Sequence, residues 1–200
     1  MMAGVKNPRF RWPGYPGRGV VPYVIDPSVR GISRLILQGM EQYHKHTCIK
    51  FVPRTNERDY IRIFYGKGCW SIIGKSGGRQ DLSLGYGCAY IGLVVHELGH
   101  AIGLFHEHQR SDRDKYINIF PRNVIQGEMH NFERTNPNNE LIFTRYDYNS
   151  IMHYGNYAFS VRPNVLPTMQ AKNGQKLYDP FEKPGFVESD IYAIKKFYQC

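Results

Sequence analysis

The stretch from His96 to Glu107, which reads HELGHAIGLFHE, constrains the fold and the chemistry of this 200-residue chain more than any other. His96 and His100 are four residues apart, so a helix places both imidazoles on one face, one turn apart. Gly103 can adopt the positive φ that ends a helix and turns the chain, which brings His106 back towards the pair. Three neutral imidazoles with one open position are typical of a catalytic zinc site rather than a structural one. The sequence therefore predicts one Zn²⁺ ion per chain, bound by His96, His100 and His106.

Glu97 adjoins the first of these histidines and is the candidate proton acceptor of the site. From that position a carboxylate can reach a water molecule held between the imidazoles and a metal ion, and take its proton. The competing explanation is a helix whose histidines have this spacing by chance, with Glu97 an ordinary surface carboxylate. The fixed offsets of Gly103 and His106 favour the metal site, because chance seldom supplies both of them beside two helical histidines.

A methionine-containing segment in the second half of the chain, residues 150–154 with the sequence SIMHY, makes the pattern more specific. HELGHAIGLFHEH together with SIMHY resembles the astacin family of zinc endopeptidases, which belongs to the metzincins. Two residues distinguish this family within the clan: Glu107, directly after the third histidine, and Tyr154, two residues after Met152. The resemblance extends over essentially the whole chain, through residues 21–23, 48–51, 68–70 and 110–114 and the terminal cysteine.

The resemblance implies an α+β fold, namely a two-lobed catalytic domain of the metzincin or zincin type. We expect one astacin-like peptidase domain over residues 1–200, with an N-terminal lobe up to about residue 103 and a C-terminal lobe over about 104–200. The first lobe would hold a twisted mixed sheet and the active-site helix. The second would be rich in loops and would end in a helix, and zinc and substrate would lie in the cleft between the lobes.

Hydrophobic periodicity places the regular elements along the chain. Alternating or short apolar runs predict strands over residues 20–25, 49–51, 61–65 and 80–84. Apolar residues at spacings of three and four predict helices over 29–46, with Ser28 as N-cap, over 90–103, and from 191 to 198 after a capping region at 188–190. Residues 1–20 are rich in proline, glycine and arginine without periodicity, so we expect them to wrap the surface.

The resemblance also implies roles for residues around the metal. Glu97 would act as general base towards water and then as general acid towards the leaving amine. Tyr154 would donate a hydrogen bond to the oxyanion as its charge develops, the alternative being a tyrosine of the core. Met152 would form an apolar floor beneath the imidazoles, since thioethers are poor ligands for zinc. His108 and His153 do not fit the ligand spacing, and we expect them to be structural.

Glu107 has two possible partners. In astacins this glutamate receives the N-terminus that removal of the propeptide frees, and the corresponding mature start would fall near Ala3. The chain would then be the mature enzyme, with Met1 either native or added. Alternatively, Glu107 forms an ion pair with Arg110 or Arg113.

Pro180 is the predicted specificity residue. In astacins a position in the loop before the C-terminal helix borders the pocket for the residue that follows the scissile bond, and alignment of residues 179–181 places Pro180 there. A proline offers no partner to an acidic side chain, and burying an unpaired carboxylate would be costly. We therefore expect cleavage before small or uncharged residues. A cation from Arg79, Lys172 or Lys176 in that pocket would reverse the preference.

The four cysteines allow three pairings, among which the sequence by itself does not choose. None forms a Cys-x-x-Cys pair, which argues against metal ligation or redox chemistry. The resemblance implies the pairs Cys48–Cys200 and Cys69–Cys88. Disulfides persist in oxidising compartments, so the same residues predict a secreted protein.

The net charge of +9 comes from scattered lysines and arginines, without a block of like charges. We therefore expect a basic, solvated surface and no nucleic-acid partner. No apolar run is long enough to span a bilayer. The first residues lack the pattern of a secretory signal, which fits a mature or recombinant fragment as well as an intracellular protein. The resemblance implies protein or peptide substrates and, in the zymogen, the protein's own propeptide as a partner, and we expect a monomer.

Two functions compete with a secreted zinc endopeptidase of broad specificity. The chain could be an inactive zinc-bound module that recognises proteins without cutting them, but Glu97 argues against this because such a module needs no general base. It could also be a zinc hydrolase that acts on non-peptide bonds, which the remaining motifs do not support. The patterns do not distinguish digestive, hatching, matrix-processing or venom roles.

Overall fold

A computed structural model of the protein describes residues 3–200, and Met1 and Met2 lie outside that range. Within it the chain forms nine strands and three α-helices. The strands are β1 (Ala3–Val5), β2 (Gly19–Ile25), β3 (Ile49–Pro53), β4 (Tyr60–Phe64), β5 (Cys69–Ser71), β6 (Arg79–Leu84), β7 (Ile117–Ile119), β8 (Glu140–Ile142) and β9 (Met169–Ala171). The helices are α1 (Ser33–His46), α2 (Ile91–Ala101) and α3 (Glu188–Tyr198). This mixture of helices and a mixed sheet confirms the predicted α+β class.

The central sheet has five strands in the order β3-β2-β4-β6-β5. Strands β2, β3, β4 and β6 run parallel, and α1 provides the crossover that a parallel pair such as β2 and β3 requires. The edge strand β5 is antiparallel to β6. The four parallel strands match the predicted ones to within a few residues, whereas the three-residue β5 was not predicted.

The predicted start of the first helix was wrong. A short 3-10 helix, Pro27–Ile32, comes first, and the α-helix begins at Ser33. The cap of the 3-10 helix is Asp26 rather than Ser28, because the Asp26 carboxylate accepts hydrogen bonds from both the backbone N–H and the hydroxyl of Ser28. Pro27 fits the next position, where a backbone N–H would lack a helical partner.

The first residues also differ from the prediction that they wrap the surface. β1 pairs antiparallel with β8, and Ala3 is fully buried. Trp12 is only 1% exposed, and its indole N–H donates to the carbonyl of Ala101 at the end of α2, at 2.7 Å. The N-terminal segment is therefore part of the packing behind the predicted metal motif.

Buried apolar side chains form two clusters. The first surrounds the central sheet with α1 and α2, and α3 packs into it although it follows the loop-rich second half of the chain. The second lies within that loop-rich half and comprises Ile117, Val124, Phe132, Tyr146, Met169, Ala171 and Leu177. Two separate clusters, one of them confined to the loop-rich half, agree with a two-lobed architecture.

Both disulfides have the pairing that the resemblance implies. Cys48–Cys200 joins the beginning of β3 to the end of the chain, and Cys69–Cys88 joins the edge strand β5 to the segment before α2. Among the described residues, no helix has both the length and the apolar character needed to cross a bilayer.

Candidate metal centre

The helix α2 positions three of the predicted site residues. It ends at Ala101, two residues earlier than predicted, and Gly103 follows with φ of +109° and donates its N–H to the carbonyl of His100. This is the left-handed conformation that favours glycine and reverses the chain. The helix buries His96, Glu97 and His100 to 1%, 3% and 5% exposure.

The three histidines converge on one point through their Nε2 atoms. The Nε2 of His96 lies 3.1 Å from that of His100 and 3.2 Å from that of His106, and the last two are 2.9 Å apart. Tetrahedral zinc with Zn–N bonds of about 2.0–2.1 Å separates its nitrogen ligands by about 3.3 Å. The triangle therefore has close to the size that a zinc ion needs.

The opposite ring nitrogens fix which tautomer each imidazole adopts. The Nδ1 atoms of His96, His100 and His106 each lie 2.8 Å from an oxygen that can only accept: the backbone oxygens of Ile151 and Leu104, and the side-chain oxygen of Gln109. Each Nδ1 must therefore carry the hydrogen, which leaves three Nε2 lone pairs facing one another. Lone pairs this close repel unless a cation lies between them, so the residues fit zinc.

Burial keeps these imidazoles neutral. It lowers the pKa of His100 to about 4 and holds the pKa values of His96 and His106 well below the ordinary value. Neutral imidazole is the form that binds a metal.

The Glu97 carboxylate lies beside the imidazoles in a cavity of about 270 Å³, which Leu93 of α2 and Phe159 of the loop-rich half also line. None of the described residues donates a hydrogen bond to its buried Oε2. Burial raises the pKa of Glu97 to about 8, since the ionised form loses hydration there. An oxygen without a protein partner, directed into a cavity beside a metal site, is free to accept a proton.

Tyr154 also lines this cavity, with its ring 4.4 Å from the His106 ring and 5.8 Å from the His96 ring between centroids. It stacks on His108 at 4.5 Å with an interplanar angle of 28°. Burial raises the pKa of the phenol, so Tyr154 keeps its hydrogen and can serve as a donor.

Met152 is completely buried and packs against α2 at Gly99, between the two helical histidines. A Cβ atom on Gly99 would lie 2.8 Å from the Met152 sulfur and 3.3 Å from the Tyr43 hydroxyl oxygen. Helix propensity alone assigns Gly99 only a cost of ~1 kcal/mol relative to alanine. The close contact between Gly99 and Met152 depends on a segment that is distant in sequence, and it was not predicted.

Glu107 pairs with Arg110 in a fully buried ion pair, with 2.7 Å between Arg110 Nη1 and Glu107 Oε1. The same oxygen accepts the backbone N–H of Asp147. Burial raises the pKa of Glu107 to about 7, against the opposing effect of Arg110. Arg113 instead donates to the backbone carbonyls of His108 and Phe132. The part of the prediction that concerns Met1 lies outside the described residues.

His108 and His153 are buried outside the triangle of Nε2 atoms. The Nε2 of His108 lies 3.1 Å from the carbonyl oxygen of Asn131. The Nε2 of His153 is 2.8 Å from the Tyr146 hydroxyl, and its Nδ1 lies beside the Tyr154 carbonyl oxygen. Neither ring is directed at the metal position.

Pro180 lines the same cavity as Glu97 and Tyr154, in the short 3-10 helix Pro180–Glu182 that packs on α2. The packing is close, since a Cβ atom on Gly92 would overlap the carbonyl oxygens of Pro180 and Lys183. Asp179 also lines the cavity. Burial raises the pKa of Asp179, whose carboxylate accepts the backbone N–H of Gly155 at 2.8 Å. No sequence pattern indicated this carboxylate.

The three cations considered for this pocket do not line it. Arg79 is half-exposed and pairs with Asp81 at 3.4 Å, and Lys172 donates to the carbonyl of Asp114. The Lys176 ammonium lies 4.5 Å from the centre of the Tyr178 ring. The charged side chains in the lining are therefore carboxylates, those of Glu97 and Asp179.

Known proteins resemble this chain over nearly all of its length. The family model Astacin, which describes a peptidase family, matches residues 4–199. Astacin-like metalloprotease toxin 1 of Loxosceles intermedia is 41% identical over 98% of this chain and 74% of the toxin. Blastula protease 10 of Paracentrotus lividus is 40% identical over 95% of this chain, which spans only 32% of that relative.

A solved structure shows the same fold. High choriolytic enzyme 1, a hatching enzyme zinc-protease from Oryzias latipes, superposes with a TM-score of 0.90 at 37% identity. The match covers 98% of this chain and 99% of that chain.

Proposed function

This chain belongs to the astacin family and is a zinc metallopeptidase, and from that premise we propose that it is a secreted endopeptidase that cleaves protein substrates within this cleft. The observation that carries the proposal is the convergence of three neutral Nε2 atoms beside the carboxylate of Glu97. His96, His100 and His106 would hold one Zn²⁺ ion per chain. Bound there, the ion would lower the pKa of a water molecule and polarise the carbonyl of the scissile bond.

Glu97 supplies the proton transfers of this proposal. Its buried carboxylate accepts the proton from water as the nucleophile attacks, and then gives that proton to the leaving amine. A positive charge at the tips of the imidazoles favours the ionised form of Glu97, which offsets the effect of burial on its pKa. The unpartnered Oε2 is the atom that we assign to this task.

Tyr154 and Met152 support the reaction in different ways. The Tyr154 phenol keeps its hydrogen and lies in the cavity, so it donates to the oxyanion of the tetrahedral intermediate. Met152 packs beneath α2 at Gly99 and forms an apolar floor for the two helical imidazoles. It binds no metal in this proposal.

The cavity beside Pro180 supports broad specificity. Its charged lining groups are the carboxylates of Glu97 and Asp179, so an acidic residue after the scissile bond would meet like charge and no cationic side chain of the lining. Small and uncharged residues fit without that cost. We propose cleavage before such residues.

The disulfides support secretion, because such bonds persist in oxidising compartments. We further propose that residues 1–200 act as one peptidase domain and as a monomer. A propeptide would precede it in the zymogen, and the mature N-terminus would be received at the buried carboxylate of Glu107.

A peptide library incubated with the protein tests this function. We expect cleavage that a zinc chelator abolishes and added Zn²⁺ restores, with small or uncharged residues after the scissile bond. Cleavage that resists the chelator would contradict the zinc mechanism. A zinc-loaded protein that cuts no peptide would instead favour a binding module, and a profile dominated by aspartate or glutamate would overturn the specificity.

A further inference from the structure

The turn Ser150–His153 fixes the orientation of one metal-binding imidazole. The turn closes through the N–H of His153, which donates to the carbonyl of Ser150 at 3.0 Å. Between them, the carbonyl of Ile151 accepts the Nδ1 hydrogen of His96 at 2.8 Å. Any shift of this turn therefore rotates or releases the His96 ring, whose other nitrogen faces the metal position.

One ammonium group holds both ends of the turn. Lys183 is 8% exposed, and its Nζ donates to the carbonyl of Ser150 at 2.7 Å and to that of His153 at 2.6 Å. No carboxylate forms an ion pair with this ammonium among the described residues. Because this buried lysine donates its hydrogen bonds to backbone carbonyls, it fixes the path of that backbone.

Asp190 holds the same turn from the start of α3. This carboxylate is fully buried, and it accepts the Ser150 hydroxyl at 2.7 Å and the backbone N–H of Ile151 at 3.0 Å. The turn thus lies between a cation that binds its carbonyls and an anion that binds its donors. Opposite charges on its two sides offset part of the cost of burying each of them.

The Lys183 segment also touches the helix that carries His96. A Cβ atom on Gly92, one turn before His96 in α2, would overlap the carbonyl oxygen of Lys183. The backbone of this residue therefore abuts α2 while its side chain holds the turn. Lys183 consequently sets the distance between the two elements that the His96–Ile151 hydrogen bond joins.

We infer that Lys183 is a positioning residue for the metal centre, which together with Asp190 holds the Ile151 carbonyl where it orients His96. The inference rests on the proposed function only in that the three imidazoles bind zinc. Replacing Lys183 by an apolar residue would remove a donor from two carbonyls and the opposite charge from Asp190, so a loss of stability is expected whether or not Lys183 positions the metal centre. Metal binding distinguishes a positioning role from a purely structural one, because partners that orient a ligand typically contribute 10–100-fold to affinity.

The test compares Lys183→Met with two controls. Met keeps the unbranched apolar stem and removes the ammonium. Lys195→Met removes one exposed positive charge from α3, and Ile63→Val lowers stability from the central sheet, away from the turn. The measurements are the dissociation constant for Zn²⁺, by competition with a chelator, and the visible absorption spectrum of the Co²⁺-loaded protein.

We expect Lys183→Met to weaken zinc binding about 10–100-fold and to shift the Co²⁺ spectrum, while both controls keep the parent's values. Unchanged affinity and spectrum in Lys183→Met would overturn the inference. If Lys183→Met does not fold, Ser150→Ala decides, because it removes the hydroxyl that joins Asp190 to the turn. Unchanged metal binding in that variant would equally overturn it.

Metal binding by the unmutated parent protein distinguishes a failure of this inference from a failure of the proposed function. A parent that binds neither Zn²⁺ nor Co²⁺ would contradict both. A parent that binds one equivalent of metal, with variants that bind it equally well, would contradict only the role of Lys183.

Discussion

His96 donates its Nδ1 hydrogen to the carbonyl oxygen of Ile151, 2.8 Å away in space and 55 residues away in sequence. This bond joins the two segments that identify the family, the helix α2 and the SIMHY turn. It leaves the Nε2 lone pair of His96 free to face the metal position. The relationship explains why the methionine segment accompanies the histidine motif: its backbone orients a ligand while Met152 packs under the helix.

Replacing Tyr154 by phenylalanine tests the oxyanion donor. Oxyanion donors are typically worth 10²–10³-fold in kcat, and the metal shares the charge here, so we expect a loss of about 10–10²-fold with a much smaller change in KM. Steady-state kinetics on a peptide substrate measure both constants. Tyr178→Phe, which removes a hydroxyl from a ring 40% exposed outside the cavity, is the matched control. An unchanged kcat in Tyr154→Phe would reduce this residue to a packing role.

Replacing Gly99 by alanine tests the close packing under the metal. The added methyl group would meet the Met152 sulfur at 2.8 Å. Overpacking of this kind costs about 1–3 kcal/mol, which exceeds the gain of ~1 kcal/mol in helix propensity. We therefore expect a lower free energy of unfolding in urea.

Gly31→Ala is the control for this prediction, because a Cβ atom there meets nothing within 4 Å and the residue has no positive φ. It should keep or slightly raise the free energy of unfolding. A Gly99→Ala protein more stable than the parent would show that the helix and Met152 separate easily.

The regular elements that could be predicted from the sequence are those with their own periodicity. α2 and the four parallel strands repeat apolar residues over enough positions to show a period. The strands β1, β5, β7, β8 and β9 have three residues each, which is too few for a period. They form because a partner strand is available, and the sequence does not show that partner. The start of α1 was missed because Asp26 and Pro27 favour a separate 3-10 turn before Ser33.

The residues of the site likewise divide into those that a local sequence pattern reveals and those that depend on the tertiary fold. His96, Glu97, His100 and His106 were predictable because one helix and one glycine turn fix their spacing. Lys183 carries no such pattern, since its partners are backbone carbonyls that every residue possesses. Gly99 could be identified as a helix glycine, but its contact with Met152 depends on the tertiary fold.

The two disulfides should differ in their contribution to stability. In the chain-entropy model, a bridge that closes 19 residues contributes about 3 kcal/mol and one that closes 152 residues about 5 kcal/mol. We therefore expect Cys48→Ser with Cys200→Ser to lower the free energy of unfolding more than Cys69→Ser with Cys88→Ser. Urea unfolding of both double variants measures the difference, and the reverse order would contradict this account.

His153 should make stability depend on pH. Burial lowers its pKa to about 3, whereas an unfolded histidine has a pKa of about 6.5. The contribution of His153 to the free energy of unfolding is therefore fully present above pH ~6.5. It is lost as the pH falls towards the pKa of the folded protein, at about 1.4 kcal/mol per pH unit. The stability advantage of the parent over His153→Gln should shrink by that slope between pH ~6.5 and ~4.5. A difference that stays constant over this range would show that His153 binds a proton as readily in the folded protein as in the unfolded chain, and would contradict the lowered pKa.

Glu97→Gln, with metal content and turnover measured on the same sample, tests the central claim most directly. Glutamine has nearly the same shape but accepts no proton, and the three imidazoles are untouched, so the variant should bind one zinc ion per chain as the parent does. Loss of a positioned acid–base group lowers the rate about 10²–10⁴-fold, and we expect peptide cleavage to fall by that factor, while Glu41→Gln on the exposed side of α1 cleaves at the parent rate. A zinc-loaded Glu97→Gln protein that cleaves as fast as the parent would contradict the account.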